Sequence, residues 1–109
     1  MDQRGVRKVN KLLIAELKKR GIKPNKIILF GSAARLKKGF NDLDYLVVST
    51  AFNGKDIFER AEMTGPITYE LIKQVMFPID LISKTPAEFK SKKSLICRFA
   101  AEGKTIFPN

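Results

Sequence analysis

Apolar positions along this chain change spacing several times, and each change predicts an element. Val6, Val9, Leu13 and Leu17 recur at helical spacing with Lys and Arg between them, so an amphipathic helix is expected over 6–20, stopped by Gly21. Pro24-Asn25 turns the chain into Lys26-Ile27-Ile28-Leu29-Phe30, a short continuous apolar run of buried-strand type. Gly31-Ser32 ends that strand, and Ala33-Ala34-Arg35-Leu36 is expected to open a short helix. A basic loop, Lys37-Lys38-Gly39-Phe40-Asn41, leads to a second strand over 42–49. Beyond the Asn53-Gly54 turn, 55–63 and 66–76 read as helical segments separated at Gly65-Pro66, with Tyr69, Ile72 and Met76 as the buried stripe of the second. A third strand is expected over 77–82, with Pro78 near its start, where a missing N–H is tolerated.

Thr85-Pro86-Ala87-Glu88 supplies a Thr cap, Pro at the first helical position and Glu at the third. The final helix is expected to carry Leu95, Ile96, Phe99 and Ala100 on one face and to stop at Gly103, after which Thr105-Ile106-Phe107 adds an edge strand. The order predicts an α/β (α+β) fold, a small β-sheet flanked by helices, in one domain spanning 1–109.

Composition narrows the chemistry. Histidine is absent and Cys97 is the single cysteine, which excludes Ser-His-Asp and Cys-His nucleophilic catalysis, imidazole zinc sites and an internal disulfide. Cys97 is expected to be a core or boundary residue. The longest apolar runs, 27–30 and 45–48, are far too short to cross a bilayer, and the N-terminus leads into a charged segment, so a cytoplasmic protein with no membrane association is expected. Twenty-one Lys and Arg against 11 acids give a net charge of +10, which suits a polyanionic partner and equally a solvated surface.

Three features bear on catalysis. Glycine at Gly31 lets backbone approach a phosphate, the helix expected to begin straight after offers free N–H groups and the positive end of its dipole, and Ser32 adds a hydroxyl, although most Gly-Ser pairs are only turns. Asp42 and Asp44 alternate along a strand, so their carboxylates share one side while Leu43 and Tyr45 take the other. Two such acids repel, and a hard divalent cation such as Mg²⁺ would relieve the repulsion; otherwise one acid caps and the other is exposed. Asp80 sits in the apolar run 77–82, where it is satisfied either by a Lys or by meeting the first two acids across a neighbouring strand.

Phe30-Gly31-Ser32, then nine residues, then Asp42-Leu43-Asp44-Tyr45, with Asp80 in a later strand, resembles the signature of the DNA polymerase beta-like nucleotidyltransferase superfamily. The short length, Gly31-Ser32-Ala33-Ala34-Arg35 and the closing Glu102-Gly103-Lys104-Thr105-Ile106-Phe107 resemble its minimal nucleotidyltransferases. One departure is Leu36, where the family commonly has Gly after the motif Arg.

The resemblance implies a metal-dependent transfer of NMP, AMP from ATP by preference, to a hydroxyl acceptor. It implies two Mg²⁺ ions held by Asp42, Asp44 and Asp80, which would also form the catalytic set. Gly31 and Ser32 would cradle the triphosphate, and Arg35, Lys37 and Lys38 would neutralise the leaving pyrophosphate. It further implies a helical HEPN-type toxin as partner, with the chain as antitoxin; RNA binding and homo-oligomer formation are also open. The alternative is a non-catalytic binding module for a protein or RNA, using basic positions such as Lys8, Lys11, Lys18, Lys90 and Arg98. Such a module has no reason to gather three acids, so their convergence is the discriminating observation.

Overall fold

The structure is a computed structural model that describes residues 1–35, 39–91 and 93–108. Leu36 of the expected helix start and Lys37 and Lys38 of the basic loop therefore lie outside the described residues. Helix α1 (Gln3–Lys19) is capped by Asp2, whose carboxylate accepts the Gly5 N–H at 2.8 Å, and it buries Val6, Val9, Leu13 and Leu17 as the apolar stripe requires. It stops at Gly21 (φ 75°), past which the Ile22 N–H donates back to the Leu17 carbonyl at 2.9 Å.

The remaining elements are β1 (Lys26–Phe30), β2 (Leu43–Val48), α2 (Ile57–Val75), β3 (Ile79–Lys84), α3 (Pro86–Ser91), α4 (Leu95–Ala101) and β4 (Lys104–Phe107). The four strands form one mixed sheet in the order β3-β2-β1-β4. Strand β1 is antiparallel to β2 and β4, whereas β2 and β3 run parallel, joined by the long crossover that contains α2. The mixed α/β fold expected from the element order is therefore the one observed. Both central strands are covered on both faces, which is why β1 and most of β2 read as continuous apolar runs. One face packs Leu29, Tyr45 and Val47 with Val9 and Leu13 of α1 and Ile67 and Leu71 of α2. The other packs Ile28, Phe30, Leu46 and Val48 with Ala100, Ile96 and Phe89. Buried among the first group, the Tyr45 hydroxyl donates to Asn10 Oδ1 at 2.6 Å, and burial raises its pKa well above the ordinary phenol value. Tyr45 is thus a packing residue.

Helix α2 departs from expectation. It runs without a break from Ile57 to Val75 through Gly65-Pro66. Inside a helix, Pro costs about 3 kcal/mol and Gly about 1 kcal/mol relative to Ala. Two effects offset this. Asp56 and Glu59 form a reciprocal capping box, at 2.8 and 2.9 Å, that holds the first turn. Ile67 and Leu71 are fully buried, each contributing about 1.5–3 kcal/mol. The buried stripe is also different: Thr64, Ile67 and Leu71 face the sheet, while Tyr69, Ile72 and Met76 are exposed. Both sets have helical spacing, so periodicity alone did not choose between them.

The expected capping box at the next helix is present: the Glu88 N–H donates to Thr85 Oγ1 at 3.1 Å, and Thr85 N–H donates to Glu88 Oε1 at 2.8 Å. That helix ends at Ser91, and a separate helix, α4, follows. On α4 the inward residues are Cys97, Ala100 and partly Ile96; Leu95 and Phe99 are exposed, contrary to the expected face. Arg60 of α2 reaches across to Glu88 Oε1 at 2.7 Å, tying α2 to the start of α3. The Thr85 backbone hydrogen bond, and then Arg60, hold the Glu88 carboxyl below its ordinary range. Replacing Arg60 with Met is expected to lower stability by about 1 kcal/mol, because the pair is partly solvated. A depressed acid contributes stability above its unfolded pKa, so the Arg60→Met penalty should vanish as pH falls through and below 4.5 in thermal melts.

Candidate active site

The site begins with strand register. Antiparallel pairing sets Phe30 opposite Asp44, so the chain leaves β1 at Gly31 directly beside the Asp44 side chain. Parallel pairing sets Asp80 next to Asp44 on the neighbouring strand. Asp42 immediately precedes β2 and shares the Asp44 side, while Leu43 and Tyr45 are fully buried on the opposite face. Each of Asp42, Asp44 and Asp80 thereby offers a carboxylate oxygen, and the three oxygens lie within 4.8 Å of one another. Of the two outcomes open for Asp80, the structure shows the meeting with the other acids.

This crowding has an electrostatic signature. Burial first, then the charges of Asp42 and Asp80, push the Asp44 carboxyl from 3.8 to about 6. Asp44 thus sits in a partly dehydrated place facing like charges, which a bound cation would compensate. An all-carboxylate donor set is hard and suits Mg²⁺ or Mn²⁺ rather than zinc. The residues present therefore fit a divalent metal.

Gly31 is the hinge of the arrangement. Its φ is 77°, and a Cβ placed there would stand 2.8 Å from Asp44 Oδ2. Only glycine combines that backbone angle with that approach. Ser32, Ala33, Ala34 and Arg35 form successive turns, with the Ala34 N–H on the Gly31 carbonyl and the Arg35 N–H on the Ser32 carbonyl, each at 3.2 Å. The helix expected to open here is thus a turn through Arg35, and Leu36 lies outside the described residues. Ser32 and Arg35 are exposed. An open cleft of about 370 Å³ runs from Gly31, Ser32 and Arg35 to Phe99, Glu102 and Gly103, so Gly31 joins this cleft to the acids. Sequence reasoning did not assign Phe99 to a cleft, because its spacing on α4 suggested a core position.

Among the described residues, no helix is long and apolar enough to cross a membrane. Residues 11–106 match the profile of the nucleotidyltransferase domain family. No curated protein sequence matches the chain. Solved structures of similar fold include a toxin–antitoxin complex with AMP-PNP, at TM-score 0.65 and 22% identity, covering 92% of this chain and 73% of that one. A second, described as a presumed minimal nucleotidyltransferase, gives TM-score 0.61 at 18% identity over 94% of this chain and 93% of that one. A third is the tri-AMPylated Shewanella oneidensis HEPN toxin in complex with its MNT antitoxin, with TM-score 0.60 and 23% identity over 100% of this chain and 74% of that one. At these identities the likeness is one of fold, whereas the profile match over nearly the whole chain is one of sequence: this chain belongs to the nucleotidyltransferase domain family.

Proposed function

We propose that the domain transfers AMP from ATP to a hydroxyl on a helical HEPN-type partner in a Mg²⁺-dependent reaction, and so acts as an antitoxin. The observation that carries this reading is the convergence of Asp42, Asp44 and Asp80 on one point beside the Gly31-Ser32 turn. A binding module has no use for three crowded acids, one of them made harder to ionise by burial and then by the others. The partner and the nucleotide rest on the fold neighbours, which include an AMPylated HEPN toxin with its MNT antitoxin and a toxin–antitoxin complex with AMP-PNP.

In this reading Asp42, Asp44 and Asp80 would hold Mg²⁺, which supplies charge neutralisation for the triphosphate and a more acidic acceptor hydroxyl. The chain's own groups do the rest. The Gly31 backbone lets the Asp44 carboxylate close against the turn, and the Ser32 hydroxyl on that turn would orient a phosphate of the nucleotide. Arg35 faces the charge that develops on the leaving pyrophosphate. Asp80, on an edge strand and exposed, is the acid best placed to take the acceptor proton. The cleft toward Phe99 and Glu102 receives the remainder of the nucleotide.

Calorimetric titration of ATP, with Mg²⁺ and with EDTA, tests the nucleotide site, and labelled ATP incubated with the domain and a genomically adjacent helical partner tests transfer. Binding that needs the metal and label on a partner hydroxyl are expected. ATP binding indifferent to EDTA, or labelling from CTP or GTP in preference to ATP, would sink the proposal in its metal or nucleotide part.

A further inference from the structure

The outer side of α2 is apolar where the chain's own fold gives it nothing to cover. Phe58, Tyr69 and Met76 are 76%, 69% and 83% exposed, and Ile72 is also open to solvent. With Glu62 and Gly65, the helical residues Phe58, Tyr69 and Ile72 recur at alternating steps of four and three, the spacing of a coiled-coil seam, and Met76 follows as the left-handed cap of the helix. The seam lies opposite Thr64, Ile67 and Leu71, which bury against the rest of the domain, so it points straight outward.

Gly65 adds an independent observation. A glycine inside a helix costs about 1 kcal/mol relative to Ala. A Cβ built at Gly65 meets nothing within 4 Å, so no packing within the chain requires the residue to be glycine. Close approach by another helix would give the glycine a use.

We propose that α2 is the interface of a homodimer, in which two copies of this helix pack antiparallel. The occupant is a second copy because the seam is complementary to itself. Laid antiparallel about a two-fold axis that crosses the seam at the level of Ile67, the helix sets Phe58 on the second copy's Met76 and Gly65 under the second copy's Tyr69. The gap left by Gly65 receives that ring. Glu62 then faces the second copy's Ile72, the one poor layer, with the ammonium of the adjacent Lys73 within reach. Glu59 and Lys73 flank the seam on the same side, so the antiparallel arrangement brings Glu59 of each copy to Lys73 of the other, twice.

Charge points the same way. In a chain of net charge +10, α2 carries three acids and two bases, and one of those bases, Arg60, is tied to Glu88. This near-neutral face opposes self-association less than the net charge of +10 would suggest, and it offers little to a nucleic acid. The seam is on the far side of the sheet from the acids: Asp44 alternates with Leu43 and Tyr45, which pack on the α1 and α2 side. Both acid clusters thus stay open in the dimer, and the inference stands or falls apart from the proposed transfer.

A single pair of helices of this length makes a small interface, so reversible association in the micromolar range is expected. Sedimentation equilibrium of the full chain, from low micromolar to near-millimolar, should show the dimer mass growing with concentration. Gly65→Leu should weaken association at least about tenfold by filling the space for Tyr69. Because open space surrounds position 65 in the monomer, the melting temperature of that variant should hold or rise, which separates lost docking from lost folding. Lys73→Glu should weaken the dimer too, by facing Glu59 with a like charge. A wild-type chain monomeric throughout, or Gly65→Leu associating as wild type, overturns the proposal. So does a monomeric chain that binds a helical partner through these residues, which would assign the face to that partner.

Discussion

Asp44→Asn is expected to reduce the proposed AMP transfer by about 10³-fold, the upper end of what removing one transition-state-stabilising group costs, while making the metal-free protein more stable at neutral pH. The two effects have one cause. Asp44 is desolvated and faces Asp42 and Asp80, which raises its carboxyl to about 6 from 3.8. An acid whose pKa is raised by folding stabilises the fold only while protonated. Its contribution is complete below about pH 4 and is lost as pH rises through about 6. In EDTA, the wild-type melting temperature should therefore fall relative to that of Asp44→Asn between these limits. With Mg²⁺ or Mn²⁺ the order reverses above pH 6, because the cation binds the ionised cluster and stabilises the wild type alone. Below pH 5 the added metal should do little, since protons compete for Asp44. Differential scanning fluorimetry over pH, with and without metal, checks all of this. A wild type no less stable than Asp44→Asn in EDTA at neutral pH would remove the electrostatic account of the cluster.

Gly31→Ala is the second substitution with a large expected effect, and it leaves every acid in place. An L-residue at φ 77° costs about 1–2 kcal/mol. The new Cβ would also stand 2.8 Å from Asp44 Oδ2, so either the turn or the carboxylate must move. Displacing a positioned group by about 1 Å costs roughly 10²-fold in rate. Transfer should fall by about that factor, and Mn²⁺ affinity should fall with it, since the displaced oxygen belongs to the acid cluster. Full turnover and unchanged Mn²⁺ binding in a stably folded Gly31→Ala would show that the contact between the turn and Asp44 has no part in the chemistry.

The two variants divide the site along the line between local pattern and tertiary register. Alternation along one strand already placed Asp42 and Asp44 together, away from Leu43 and Tyr45. No local rule placed Asp80 beside them. That needed the parallel pairing of β3 with β2 and the offset that sets Asp80 level with Asp44. Nor did the Gly31-Ser32 turn disclose its contact with Asp44, which follows from the pairing of Phe30 with Asp44. Family resemblance supplied that grouping in advance, and the sheet supplies its physical reason.

The misplaced elements fail for a related reason. Gly65-Pro66 carries a local penalty that predicts a break, yet Ile67 and Leu71 gain enough by burial to keep α2 whole. Tyr69, Ile72 and Met76, like Leu95 and Phe99, are apolar at helical spacing and still face outward. Periodicity reports that a helix has an apolar face; it does not report which of two such faces meets the sheet.

What the sequence determined by itself was whatever depends on neighbours a few residues away: the stripe of α1, the cap at Thr85, the two buried strands and the shared side of Asp42 and Asp44. What the tertiary structure alone decided was whatever depends on groups far apart in the chain. The third acid, the approach of Gly31 to Asp44 and the inward face of α2 all belong there, because burial and strand register are set by the sheet as a whole.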